Sequence, residues 1–273
     1  MSSVKSALPL AGPVVDTHCH MDINFDDEYV LPNVNDAMAL AKSVNVTKVI
    51  QVGCDVASSH WAAKTALEHP DVWATVALHP NAAAHDTDLE NSLLAIAELA
   101  KLPQVRGLGE TGLDYFRTEE SQSATQHVSF RAHIDIACEV GKPVIIHDRD
   151  AHKDVIKTLE TYGAPETVVF HCFSGDAEMA KVCAQAGWYM SIPGVVTFKN
   201  AQQLRDAVLE IPDHLLLVET DSPFLTPAPN RGQANSSANI PWTVRAICDI
   251  RGQSEQEICE LLFSNAVRVF GPF

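Results

Sequence analysis

Eight short β-branched or apolar runs alternate with longer segments of helical period along the 273 residues, and imidazoles and carboxylates gather where those runs end. No glycine-rich phosphate loop follows the first run, as a doubly wound open sheet would require. Together these observations predict an α/β fold of the TIM-like (β/α)8 barrel type, for which about 250 residues is typical.

The elements follow in order. Val14 and Val15 open the first strand, and the later runs are 48–52, 72–78, 105–109, 143–146, 167–170, 188–192 and 215–218. Several lack polar alternation, as strands buried on both faces do. Amphipathic helical segments fall at 34–44, 58–69, 88–101, 122–140, 153–162, 177–186 and 202–210, with two more at 241–250 and 254–270. No internal repeat and no Pro/Ser-rich linker divides the chain. The expected organisation is a short tail, residues 1–13, leading into one barrel domain, residues 14–273.

Composition narrows the function classes. With 46% hydrophobic and 20% charged residues, the chain has material for a large core. No apolar run approaches the roughly 20 residues needed to span a bilayer, and no membrane partner is expected. Seven scattered cysteines without a C-x-x-C pair argue against a disulfide framework or a zinc–thiolate site. They are read as small buried hydrophobes in a cytoplasmic protein. The formal net charge of −16 offers no basic surface for tracking phosphates. It leaves open phosphoester chemistry in which bound metal supplies positive charge locally.

In an α/β barrel, polar side chains at the C-terminal ends of strands read as the active site. His18 and His20 are two residues apart, so an extended backbone points both to one side. Glu110 follows the fourth run, His147 the fifth and His171 the sixth, and Asp221 comes just after the eighth. Any one of these alone reads equally well as a satisfied core residue or a solvated charge. Four imidazoles and two carboxylates at the ends of five strands form a set suited to zinc, manganese or a similar ion. Six ligands exceed what one tetrahedral catalytic zinc takes from protein. Two divalent metals are therefore expected, one with His18, His20 and Asp221, the other with His147 and His171. By ligand count, Glu110 would bridge them.

The same residues sit in recognisable blocks. The stretch Asp16-Thr17-His18-Cys19-His20-Met21-Asp22 is followed by Leu78-His79-Pro80, then Gly109-Glu110-Thr111-Gly112-Leu113-Asp114-Tyr115. Pro143-Val144-Ile145-Ile146-His147 with Arg149, His171-Cys172-Phe173-Ser174-Gly175 and Glu219-Thr220-Asp221-Ser222-Pro223 complete the series. In this order the blocks resemble the TatD family of metal-dependent hydrolases, within the amidohydrolase-like superfamily. The resemblance implies a (β/α)8 barrel and a metal site of His18, His20, Glu110, His147, His171 and Asp221, with Zn, Mn or Mg bound. It also implies a deoxyribonuclease-like hydrolysis of phosphodiesters, often 3′-to-5′ exonucleolytic, on single-stranded DNA or a small phosphodiester. One departure follows the eighth strand. The family's basic R-G-K-x-N-x-P stretch appears here as Arg231-Gly232-Gln233-Ala234-Asn235, with extra residues before Pro241.

The expected mechanism is attack on phosphorus by a metal-activated water. Asp221 is the candidate to orient or deprotonate that water besides ligating metal, and Glu110 is the other catalytic candidate. Glu219 shares a strand face with Asp221 and reads as a residue orienting a ligand or water. Arg149 reads as a phosphate contact or a surface ion pair. His79 reads as a substrate contact, a proton donor or a capping residue, and Arg231 as a further phosphate contact. The remaining histidines, His133 among them, are read as solvated. A monomer fits the sequence. Two rival readings remain at this point: an amidohydrolase-type enzyme acting on a small amide, ester or lactone, and a non-catalytic metal-binding barrel. Many dinuclear relatives bridge their metals with a carboxylated lysine near the fourth strand, and no Lys lies beside Glu110.

Overall fold

The apolar runs become eight strands: β1 (Val14–Cys19), β2 (Val46–Val52), β3 (Val72–Val76), β4 (Val105–Asp114), β5 (Val144–Arg149), β6 (Val168–Phe170), β7 (Tyr189–Ile192) and β8 (Leu216–Val218). They belong to one sheet whose order follows the chain from β1 to β8. Around them run α1 (Val34–Lys42), α2 (Val56–Glu68), α3 (Pro80–His85), α4 (Leu89–Ala100) and α5 (Glu120–Val140). The second half adds α6 (His152–Thr161), α7 (Ala177–Gln185), α8 (Gln202–Glu210), α9 (Ile240–Arg251) and α10 (Glu255–Phe270). This computed structural model describes residues 5–27 and 29–271. Sequential strands in one sheet, each followed by helix, are the arrangement of a TIM-like (β/α)8 barrel. By its contacts the chain comprises two compact units, residues 1–50 with 175–273, and residues 51–174.

In the first unit, β8 returns to β1. The Asp221 N–H donates to His18 O at 2.9 Å, the His20 N–H donates to Ser222 O at 2.8 Å, and Cys19 bridges Ser222. Thr17 Oγ1 donates to Val218 O at 2.9 Å. Helix α10 packs on β1 and β8, and Asn265 Nδ2 donates to the Leu216 carbonyl at 2.8 Å. Its start is set by a reciprocal cap between Ser254 and Glu257, which satisfies donors that the first turn leaves open. The expected tail is tied down where it is described. Lys5 and Asn230 exchange two 2.8 Å hydrogen bonds, and Arg245 donates to the Leu8 and Pro9 carbonyls. Residues 1–4 of that tail, and residues 272 and 273 of the expected barrel domain, lie outside the described residues.

In the second unit, β3, β4, β5 and β6 pair in parallel. Strand β4 is twice the expected length, because Thr111 to Asp114 continue the ladder against Ile146 to Arg149. Between Leu108 and Thr111 the register slips, three residues on β4 spanning two on β5. Such a bulge re-aims the side chains within it, and Glu110 lies there. Two glycines permit the close pairing. A Cβ on Gly109 would stand 2.4 Å from Ile145 Cβ, and one on Gly112, at φ +143°, would stand 2.1 Å from His147 O. The short helix α3 was not expected from periodicity; it starts at Pro80, which suits a first helical position.

His133 corrects the sequence reading of the spare histidines as solvated. It is fully buried on α5, accepting from the Leu78 N–H at Nε2 (3.0 Å), with Nδ1 2.7 Å from Ser129 O. A helix face that binds a strand end cannot be told from a solvent face by one polar residue. Burial holds this imidazole neutral, with its pKa lowered to about 4 against a backbone hydrogen bond that favours the charged form.

Two predictions follow from this packing. Gly109→Ala should lose about 1–3 kcal/mol of stability through overpacking against Ile145, read by denaturant unfolding. Below pH 6.5 the unfolded chain binds a proton at His133 that the folded chain refuses down to about pH 4. Stability should therefore fall by about 1.4 kcal/mol per pH unit as pH drops through that window. His133→Gln should flatten this part of the pH–stability curve, and an unchanged slope would assign the loss to other groups.

Candidate functional site

Three donors converge in the first unit. His18 sits within β1, fully buried, and His20 follows the strand end on the same side. Their Nε2 atoms face each other at 3.2 Å, and Asp221 Oδ1 lies 3.8 Å from the first and 3.5 Å from the second. Ligand atoms held about 2.0–2.1 Å from a tetrahedral zinc stand about 3.3 Å apart, so the spacing fits one cation. Asp221 reaches this place from a backbone at φ +54°, a left-handed conformation that Asp tolerates better than most residues. Its side chain is 16% exposed, whereas that of His18 is fully enclosed. A groove lined by Met21, Tyr29, Pro32, Met38 and Pro223 opens beside His20.

Asp16 holds this cluster's frame. Buried on β1, it accepts from the Thr220 N–H (2.9 Å), Thr220 Oγ1 (2.6 Å) and Ser237 Oγ (2.7 Å). One carboxylate thus ties β1 to the turn that carries Asp221. Burial raises its pKa to about 6, against the hydrogen bonds that favour the charged form. Asn235, in the loop that departs from the family pattern, is also structural: it is buried and its Nδ2 donates to the carbonyls of Thr220 and Phe224. Glu219 is fully buried, its N–H donating to Ile192 O.

The second unit carries the other donors. Glu110 and His147 do not end their strands, as the sequence reading had them, but lie within β4 and β5, while His171 directly follows β6. Oε2 of Glu110 lies 2.9 Å from His147 Nδ1, 2.8 Å from His171 Nε2 and 3.8 Å from His79 Nε2. The two ligand nitrogens of His147 and His171 are 3.5 Å apart. Glu110, His147 and His171 thus form one compact set of donors able to hold a metal ion. Burial opposes ionisation of Glu110, yet the charge of His171 and hydrogen bonds from His147 and His171 hold its carboxyl well below the usual range.

Asp114 is the residue that sequence reasoning passed over. It lies four residues beyond Glu110 on β4, and its Oδ2 meets His147 Nε2 at 3.2 Å. Nε2–H of His147 donates to Asp114, and Nδ1, the atom that faces Glu110 at 2.9 Å, is the one that would turn its lone pair to a cation shared with that carboxylate. Carboxylate–histidine–metal arrangements of this kind fix the tautomer and raise ligand basicity. Burial opposes the charge on Asp114, but His147 and the backbone N–H of Arg117 outweigh it and depress its pKa. A signal was present, in the Asp of the Gly112-Leu113-Asp114 block, but its partner was not legible.

The remaining candidates divide. His79 caps α3: its Nδ1 accepts from the Asn81 N–H at 3.0 Å, which leaves the hydrogen on Nε2, the atom facing Glu110. Burial and the neighbouring His147 keep this ring neutral, with a pKa lowered to about 3. Arg149 ends β5 with its guanidinium 4.0 Å over the Phe116 ring, and Arg231 lies 4.2 Å over Phe198. Neither arginine is a metal-cluster residue. Both are exposed, stacked on aromatic rings in the loops of their own units.

A barrel sheet with clustered imidazole and carboxylate donors defines a metal-dependent hydrolase. The model of the TatD related DNase family matches residues 15–271. The chain belongs to that family. A relative in Mycobacterium tuberculosis, an uncharacterized metal-dependent hydrolase TatD, is 41% identical over 94% of this chain and 98% of its own length. The uncharacterized metal-dependent hydrolase YabD of Bacillus subtilis is 37% identical over 93% and 98%. Among solved structures, the TatD homologue YjjV of Escherichia coli superposes with a TM-score of 0.86 at 26% identity, covering 95% of this chain and 98% of that one. An amidohydrolase from Burkholderia multivorans with bound zinc has a TM-score of 0.67 at 11% identity, a likeness of fold alone.

Asp114→Asn should weaken metal affinity about 10–100-fold with the fold retained, read by chelator competition and by unfolding. Unchanged affinity would make Asp114 a loop anchor only.

Proposed function

We propose that this chain is a metal-dependent phosphodiesterase acting on DNA, with two divalent ions, one in each donor cluster. The observation that carries the reading is the convergence of donors in each unit, with nitrogen and oxygen ligand atoms 2.8–3.8 Å apart. The donor chemistry, imidazole with carboxylate, favours zinc or manganese over calcium. The description of the matched family as TatD related DNase supports a phosphodiester substrate.

Metal bound at these donors would supply a hydroxide near neutral pH, since coordination lowers the pKa of water from 15.7 to about 7. The protein's own groups do the rest. Asp221, the carboxylate of its cluster and the most accessible of its three donors, takes the proton of the attacking water. Glu110, kept ionised by its imidazole neighbours, provides the anionic ligand of the second unit. His79 presents Nε2–H as a hydrogen-bond donor to a phosphoryl oxygen, held in that tautomer by the Asn81 N–H. Arg149 contacts phosphate through its planar fork, and Arg231 does the same in the first unit. Glu219 orients the strand end that carries Asp221. The chain acts on single-stranded DNA ends in 3′-to-5′ direction, within the cytoplasm. No described helix is long and apolar enough to cross a membrane.

The test is hydrolysis of short single-stranded DNA by chelated and then metal-reconstituted protein. Reconstitution should restore cleavage in the wild type and fail to restore it in Glu110→Ala. Asp221→Asn should keep the fold and lower kcat by about 10²–10⁴-fold, the usual contribution of a positioned base. Metal binding with DNA left intact would replace this reading by hydrolysis of a small amide or lactone.

A further inference from the structure

Phe116 is a large apolar side chain left 62% exposed two residues beyond Asp114, in the turn that follows β4. It forgoes the stabilisation that burial would bring. Its position is nevertheless closely controlled. The N–H groups of Phe116 and Arg117 both donate to Asp114 Oδ1, at 3.0 and 2.8 Å. The other oxygen of the same carboxylate meets His147 Nε2 and accepts from Asn81 Nδ2 at 3.3 Å. Asn81 Oδ1 in turn accepts from Thr118 Oγ1 at 2.9 Å. Across the strands, the Tyr115 N–H donates to Arg149 O at 2.9 Å, and the Arg149 guanidinium lies over the Phe116 ring. One carboxylate thus fixes both a metal-binding imidazole and an exposed aromatic ring with a cation stacked on it.

We propose that Phe116 is a stacking platform for a nucleobase of a single-stranded nucleic acid, with Arg149 on the ring directing donors to the adjoining phosphate. This rests on the phosphodiesterase reading for the class of ligand. Every base has a π-face, so an aromatic ring binds single strands without regard to sequence. Arginine stacked on an aromatic ring keeps its edge N–H groups for a phosphate. The net charge of −16 denies the chain the basic surface that ordinarily supplies affinity for a polyanion. Stacking on a ring beside the metal donors supplies affinity that does not depend on that surface.

The experiment compares two probes, a short oligodeoxyadenylate and the same backbone with abasic residues at its 3′ end. Binding is read by fluorescence anisotropy on the full, zinc-loaded chain in the Asp221→Asn background, so that hydrolysis is slow. The base-bearing probe should bind about tenfold more tightly than the abasic one, the effect of a single base–aromatic stack. Phe116→Ala should collapse that preference toward unity, and Phe116→Trp should restore it. Equal affinity for the two probes, or a preference that survives Phe116→Ala, overturns the proposal. A Phe116-dependent preference in a chain whose wild type leaves the oligonucleotide uncut would sustain the platform while removing the phosphodiesterase reading.

Discussion

Burying the carboxylate of Glu110 is the constraint on which the second unit depends. An isolated carboxylate in an apolar interior is strongly disfavoured, and such a group persists only when paired or metal-bound. Here one oxygen is met by imidazole nitrogens from β5, from the residue after β6 and from the residue before α3. To bring Glu110 to that point, β4 slips register against β5, and glycines remove the Cβ atoms that would block their approach. Backbone geometry that reads as irregular is thus the means of seating one charge. Leu108 and Leu113 on the same strand and Ile145 and Ile146 on β5 are fully buried, and the other oxygen of Glu110 accepts from Cys54 Sγ at 3.6 Å.

Two further carboxylates do for geometry what the ligands do for chemistry. Asp16 ties β1 to the turn bearing Asp221, and Asp114 fixes the tautomer of His147 while pinning the backbone beyond β4. Neither arrangement depends on flexible surface groups. Their acceptor oxygens take backbone N–H and short side-chain donors whose positions are already set by strand ends. Preorganised ligands need little rearrangement when a cation arrives, and that is how a supporting layer raises affinity.

Much of the architecture was legible because its signals are local. Apolar runs and helical periods marked eight strands and nine of the helices, all but β4 within about three residues of their observed bounds. Helix α3 escaped because six residues are too few to show a period. The continuation of β4 through Gly112 escaped because its interior glycine and polar residues look like a loop. His133 escaped because burial of a single histidine depends on what packs against its helix, and the sequence does not show that.

For the site, the kinds and order of donor residues were set by sequence alone: two histidines at strand spacing, then Glu110, His147, His171 and Asp221. Those identities already imply borderline metal ions, since ligand chemistry belongs to the side chain. Which atoms meet was decided only by tertiary structure. The 3.2 Å approach of His18 and His20, the link from Asp114 to His147 and the Arg149 stack on Phe116 all depend on distances set by strand register, a bulge and turn geometry. The physical reason is that composition fixes what a group can bind, whereas a pairwise energy depends on separation and orientation, which only the folded chain supplies.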